Sequence, residues 1–114
     1  MGLTEPDIAP ERFLEDVELR IGDVVDVEPF PEARKPVYKL RIDLGEATLR
    51  SAAGLTDLYE PDDLVGAQVV CACNLGTVSI AGFESECLVT GVDGEGGVVH
   101  LTTERPVEPG ARVY

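Results

Sequence analysis

A chain of 114 residues builds one hydrophobic core and excludes two. With 44% hydrophobic and 27% charged residues it belongs among globular rather than disordered chains, and no apolar run approaches the roughly 20 residues that cross a bilayer. Twenty-two Asp and Glu stand against nine Lys and Arg, a formal net charge of −13, and the acidic start lacks the basic and apolar regions of a signal peptide. The expectation is a soluble cytoplasmic protein without membrane insertion.

Residues 1–9 read as a flexible leader to one domain over 10–114. Pro10 suits a first helical turn, and Phe13, Leu14 and Val17 fall on one face of the short helix it opens. From Leu19 the period becomes two. Leu19, Ile21, Val25 and Val27 share one strand face, Glu18, Arg20, Asp26 and Glu28 the other, and Gly22 marks a bulge or sharp coil. A loop with three prolines, Pro29 to Pro36, leads to the cleanest alternation in the chain. There Tyr38, Leu40, Ile42 and Leu44 point one way, while Lys39, Arg41 and Asp43 point the other. Gly45-Glu46 turns into a third strand, Ala47 to Ala52, and Gly54 to Leu64 reads as a short helical connection broken at Pro61.

Ala67 to Asn74 is nearly continuous apolar, a strand buried on both faces. A loop containing Gly76 and Gly82 follows, then a strand at Cys87 to Thr90, a turn at Asp93 to Gly97, and a return strand at Val98 to Leu101. Three strands, a short helix and then two further strands with a return strand after the second, preceded by an extra helix, predict a mostly all-β protein. The order is that of an OB-fold, a five-stranded Greek-key barrel.

No catalytic constellation stands out. Ser85 lies between Glu84 and Glu86 without a nucleophile elbow, and Asp62-Asp63 reads as charge at a helix start. The single His100 sits in an apolar strand, where a structural role outweighs that of a general base. Cys71, Cys73 and Cys87 offer no metal-ligand spacing and read as buried hydrophobes, so no metal or cofactor is expected.

Charge is patterned more tellingly. Seven of the nine basic residues are Arg, the two lysines being Lys35 and Lys39. So acidic a surface with so little Lys suits concentrated salt, a halophilic cytoplasm, although an ordinary acidic protein has the same composition. Five of the nine, Arg34, Lys35, Lys39, Arg41 and Arg50, fall within 17 residues that contain only Asp43 and Glu46 against them. That island reads as a contact for an anion or as simple solvation of a strand edge. On an OB barrel the second and third strands form the usual face for nucleic acid, and the island falls on those strands. Phosphates call for Arg and Lys, bases for aromatics and amides, and Tyr38, Phe83 and Asn74 are at hand, Tyr38 being the more natural core residue.

Leu19-Arg20-Ile21-Gly22-Asp23-Val24-Val25, Pro31-Glu32-Ala33-Arg34-Lys35-Pro36 and Ile80-Ala81-Gly82-Phe83-Glu84-Ser85-Glu86, together with Leu64 to Val70 and Asn74-Leu75, resemble the CsaA-type proteins of the tRNA-binding-domain family. That family includes the C-terminal module of methionyl-tRNA synthetase. The resemblance runs from about Phe13 to Arg112. It implies an OB barrel whose flanking extensions pair two chains, non-catalytic binding of tRNA or other structured RNA, and, in the CsaA branch, a chaperone role towards unfolded precursor polypeptide in the same groove. The chain departs at Gly76-Thr77-Val78-Ser79, which is uncharged where relatives commonly place a lysine. The expected RNA face comprises Arg34, Lys35, Lys39, Arg41 and Arg50, with Phe83 and, at the edge, Asn74 and Ser85. Phe13, Leu14 and Val17 are expected at a homodimer interface.

Overall fold

The computed structural model describes residues 1–114, and residues 1–9 contain no helix or strand. Then come α1 (Pro10–Asp16), β1 (Leu19–Pro29), β2 (Tyr38–Asp43), β3 (Thr48–Ala53), α2 (Pro61–Leu64) and β4 (Gln68–Ala72). Five short strands complete the order: β5 (Val78–Ile80), β6 (Phe83–Ser85), β7 (Leu88–Val89), β8 (Gly91–Gly94) and β9 (Gly97–His100). The main sheet is antiparallel in the order β3-β2-β1-β4-β7. Its two edges meet. The buried Ser51 hydroxyl donates to the Cys87 carbonyl at 2.8 Å, and Glu86 N–H donates to the Arg50 carbonyl at 2.8 Å. The result is a nearly closed five-strand barrel of the OB type.

The alternation of β2 explains its placement at the centre. Tyr38, Leu40, Ile42 and the following Leu44 are all buried, with Leu40 and Ile42 fully so. Around them pack Val24, Leu64, Val69 and Cys71. The Tyr38 hydroxyl donates to the Tyr59 carbonyl at 2.8 Å, so this tyrosine belongs to the core and not to a ligand face.

Four expectations need correction. The irregularity in β1 lies between Val24 and Asp26, not at Gly22, which is in regular register with Val69. Val24 is therefore the core residue and Val25 is 46% exposed. Gly22 is needed for another reason: a Cβ there would strike the Ile42 side chain and approach Leu44 Cδ2 to 2.9 Å. Pro61 begins a helix instead of breaking one, as its fixed φ allows at a first position, and Asp63 Oδ2 accepts Glu60 N–H at 2.8 Å. Within the stretch expected to be a loop, β5 and β6 form a hairpin whose two-residue turn, Ala81-Gly82, has positive φ at both positions. Finally, β9 returns against β8, while β7 joins β4.

The C-terminal segment straps the barrel. Gly110 N–H donates to Ile21 O at 2.6 Å, and Ile21 N–H donates to Ala111 O at 2.9 Å. The Gln68 side chain donates to Asp23 Oδ1 and Val107 O, both at 2.7 Å, and accepts Val107 N–H at 3.1 Å. All three cysteines are free thiols. A hydrogen bond with Cys87, reinforced by burial, holds the Cys71 thiol above its ordinary value, and burial pushes Cys73 up to about 11. His100 packs on Tyr59 with ring centroids 5.1 Å apart. No helix is long and apolar enough to cross a membrane.

Candidate nucleic-acid interface

Because β2 buries its even positions, Lys39 and Arg41 project outward. Arg41 stands directly opposite Arg50 on β3, and Lys39 stands opposite Ala52. Like charges facing each other across a ladder cost a fraction of a kcal/mol, about 0.2–1. On a chain with 22 carboxylates that arrangement is a conspicuous choice.

The pairing of the other cations sharpens it. Arg12 is paired with Asp16, Arg20 with Glu18, Arg50 with Glu86 and Arg105 with Glu104. Arg112 donates to the carbonyls of Leu14 and Val17 at 2.7 and 3.0 Å. Four of the nine basic side chains remain: Arg34, Lys35, Lys39 and Arg41. None of them has a carboxylate oxygen within 4.0 Å, although on β1 Asp26 stands opposite Arg41 and Glu28 opposite Lys39. Arg112 apart, whose guanidinium donates to backbone carbonyls, the cations without a carboxylate partner are confined to eight residues, 34–41.

Beside these cations lie two aromatic rings. Phe30 and Phe83 meet edge to face with centroids 5.6 Å apart. Lys39 Nζ sits 4.5 Å from the Phe30 centroid and 5.5 Å from that of Phe83, while Arg50 Cζ is also 5.5 Å from Phe83. The β5–β6 turn delivers Phe83 to this place, and the end of β1 delivers Phe30. Cations over ring faces gain about 0.5–1 kcal/mol each at exposed sites. Phe30 is buried and Phe83 half-buried, so Phe83 is the ring available to a ligand.

A family model for the tRNA binding domain matches residues 19–112. The chain belongs to that family. The CsaA chaperone of Bacillus anthracis is 38% identical, with a TM-score of 0.84 over 95% of this chain and 100% of that one. The CsaA chaperone of Picrophilus torridus is 32% identical, with a TM-score of 0.86 over 94% and 100%. Methionine–tRNA ligase of Methanocaldococcus jannaschii is 36% identical over 102 residues, which are 89% of this chain but 16% of the ligase. The chain thus spans about a sixth of the length of such curated relatives.

In this tRNA-binding domain, Lys39, Arg41, Arg50 and Phe83 come together as one surface, with exposed Arg34 and Lys35 in the loop before β2. Ser85 reaches its margin, where its Oγ accepts Ala52 N–H at 3.0 Å. Asn74 does not join them. Its Oδ1 accepts Glu18 N–H and its Nδ2 donates to Asp16 O, both at 2.9 Å, so it fastens α1 to the start of β1. Lys39 stands in backbone register with Glu28 near the other end of that strand, without an ion pair between them. Phe30 and Glu86 escaped sequence reasoning. The one local signal for Phe30 is an aromatic between two prolines just ahead of the basic run. A groove of about 520 Å³ elsewhere holds Glu18, Glu46 and Glu108 around an Arg20 already bonded to Glu18 and the Gly110 carbonyl. Its charge repels phosphate. Of the expected dimer residues, Phe13 and Val17 are half-buried against their own chain, while Leu14 is 45% exposed.

Proposed function

We propose that this domain binds tRNA without catalysis, through the outward face of β2 and β3. The observation that carries the reading is that the four basic side chains with neither a carboxylate nor a backbone carbonyl as partner all fall within residues 34–41 of a chain with net charge −13. Arg34, Lys35, Lys39 and Arg41 neutralise phosphates, Arg50 flanks them, and Phe83 stacks a base. Ser85 lies at the margin, and Asn74 acts indirectly by fixing the β1 entry. Family membership and the tRNA ligase relatives support the same reading.

A rival reading has its own observation. An apolar groove of about 240 Å³, lined by Leu75, Val78, Ile80 and Leu88, adjoins the cation surface at Ala52 and Ser85. Exposed apolar side chains of that kind suit an unfolded polypeptide, in keeping with the CsaA chaperones. Titrating total tRNA and an unfolded precursor peptide, from about 0.1 M to molar salt, separates the two. Four phosphate contacts give tRNA a slope near −3, at about −0.7 per contact. Peptide binding without tRNA binding overturns the RNA reading.

The surface chemistry extends the proposal to a cytoplasm of high salt, where screening relieves the repulsion among 22 carboxylates. A complete fold by circular dichroism in millimolar salt contradicts that extension. The domain further works as a homodimer. Leu14 leaves an apolar edge on α1, and Arg112 binds that helix to the C-terminal segment, so the two form one surface for a second copy. Light scattering is expected to give twice the chain mass at micromolar concentration, and a monomer there rejects the interface.

A further inference from the structure

Of the carboxylates around the cation cluster, Glu86 is the one ion-paired with a member of it. Its Oε1 accepts the Arg50 backbone N–H at 3.0 Å and Arg50 Nε–H at 3.3 Å, while its own N–H donates to Arg50 O at 2.8 Å. The backbone bonds close the barrel seam between β3 and the residue before Cys87. They need an acceptor oxygen and nothing more. The amide oxygen of a glutamine accepts the same Arg50 N–H, so the seam has no use for the negative charge. Both side chains are partly open to solvent, Arg50 at 46% and Glu86 at 33%, which leaves the pair within reach of a ligand.

We infer that Glu86 is an internal counter-anion that holds down the affinity of this face for RNA phosphate. The inference rests on the tRNA reading above and deepens it. A phosphate arriving at Arg41 finds an uncompensated guanidinium; one arriving at Arg50 finds a guanidinium already shared with a carboxylate. Arg50 therefore contributes less than a full contact. It remains seated beside Phe83, where it shapes the stacking platform alongside Lys39. The face is graded as a result, with full contacts at Lys39 and Arg41 and a moderated one at Arg50. On that account charge alone binds RNA weakly, and contacts to the bases decide what stays bound.

The test compares wild type, Glu86→Gln, and Glu86→Gln with Arg50→Gln for tRNA affinity between about 0.1 M and 1 M salt. One further phosphate contact is worth about 0.7 in the salt slope, or about fivefold at 0.1 M relative to 1 M. Glu86→Gln should bind up to about fivefold tighter at 0.1 M, with a slope steeper by up to about 0.7 and no gain near 1 M. Adding Arg50→Gln should abolish the gain. Equal or weaker binding by a normally folded Glu86→Gln protein overturns the inference and leaves Glu86 as a seam residue. Should that variant not fold, Arg50→Gln decides against Arg41→Gln: a smaller flattening of the slope at Arg50 supports the inference, and an equal one overturns it. Wild-type protein that binds no tRNA overturns both readings. Binding that needs Lys39 and Arg41 but ignores Glu86 overturns this one alone.

Discussion

Replacing Lys39 and Arg41 together by Gln is expected to weaken tRNA binding about 25-fold at 0.1 M salt and to leave it unchanged near 1 M. Each phosphate contact to a single strand adds about 0.7 to the salt slope, so removing two flattens it by about 1.4, or about 25-fold across that decade. The fold should not suffer. Both side chains lie outward on β2 without carboxylate partners, and Arg41 faces Arg50 across the ladder, so neutralising it removes a like-charge opposition. Against that gain stands the lost contact of Lys39 with Phe30, worth about 0.5–1 kcal/mol, and the two effects offset one another. Fluorescence anisotropy with labelled tRNA across the salt range, beside a thermal melt, reads both quantities. Unchanged binding at 0.1 M in the folded variant would show the free cations to be merely solvated.

That expectation could be framed on the sequence because the decisive pattern is local. Tyr38, Leu40, Ile42 and Leu44 alternate with Lys39, Arg41 and Asp43 over seven residues, and period two in a strand sorts inside from outside without knowledge of the partner strands. The barrel order followed from the same kind of signal. Where the signal was not local, reading failed. Val24 and Val25 are equally apolar neighbours, so the side on which β1 slips is chosen by its pairing with β2, which no window of β1 contains. The β5–β6 hairpin hides because one of its two left-handed turn positions is an alanine, Ala81, and not the Asn or Gly that announces such turns. Asn74 after an apolar strand looks the same whether it meets a base or fastens a helix; the carbonyl of Asp16, 58 residues away, decides. Glu86 is the extreme case. Its role depends on Arg50, 36 residues earlier, and in the sequence it is one of 22 acidic residues.

Leu40→Ala probes the opposite face of the same strand and should move the opposite observable. Leu40 is fully buried between Lys39 and Arg41, inside the cluster that contains Val24, Ile42, Leu64 and Val69. Truncating a buried leucine removes its transfer free energy and leaves a cavity that a close-packed barrel fills poorly, at a cost of about 2–5 kcal/mol. A small domain has about 5–15 kcal/mol in total, so a large fraction of the stability goes. At about 4 °C per kcal/mol, the melting temperature should fall by about 10 °C or more. Below that temperature the cations keep their ladder positions, because backbone bonds from β2 to both β1 and β3 set the register, and the salt slope for tRNA should match wild type. Lys39→Gln with Arg41→Gln flattens the slope and spares the melt; Leu40→Ala lowers the melt and spares the slope. If folded Leu40→Ala protein instead loses slope, then core packing rather than strand register spaces the cations, and the binding face is more deformable than its hydrogen-bonded ladder implies.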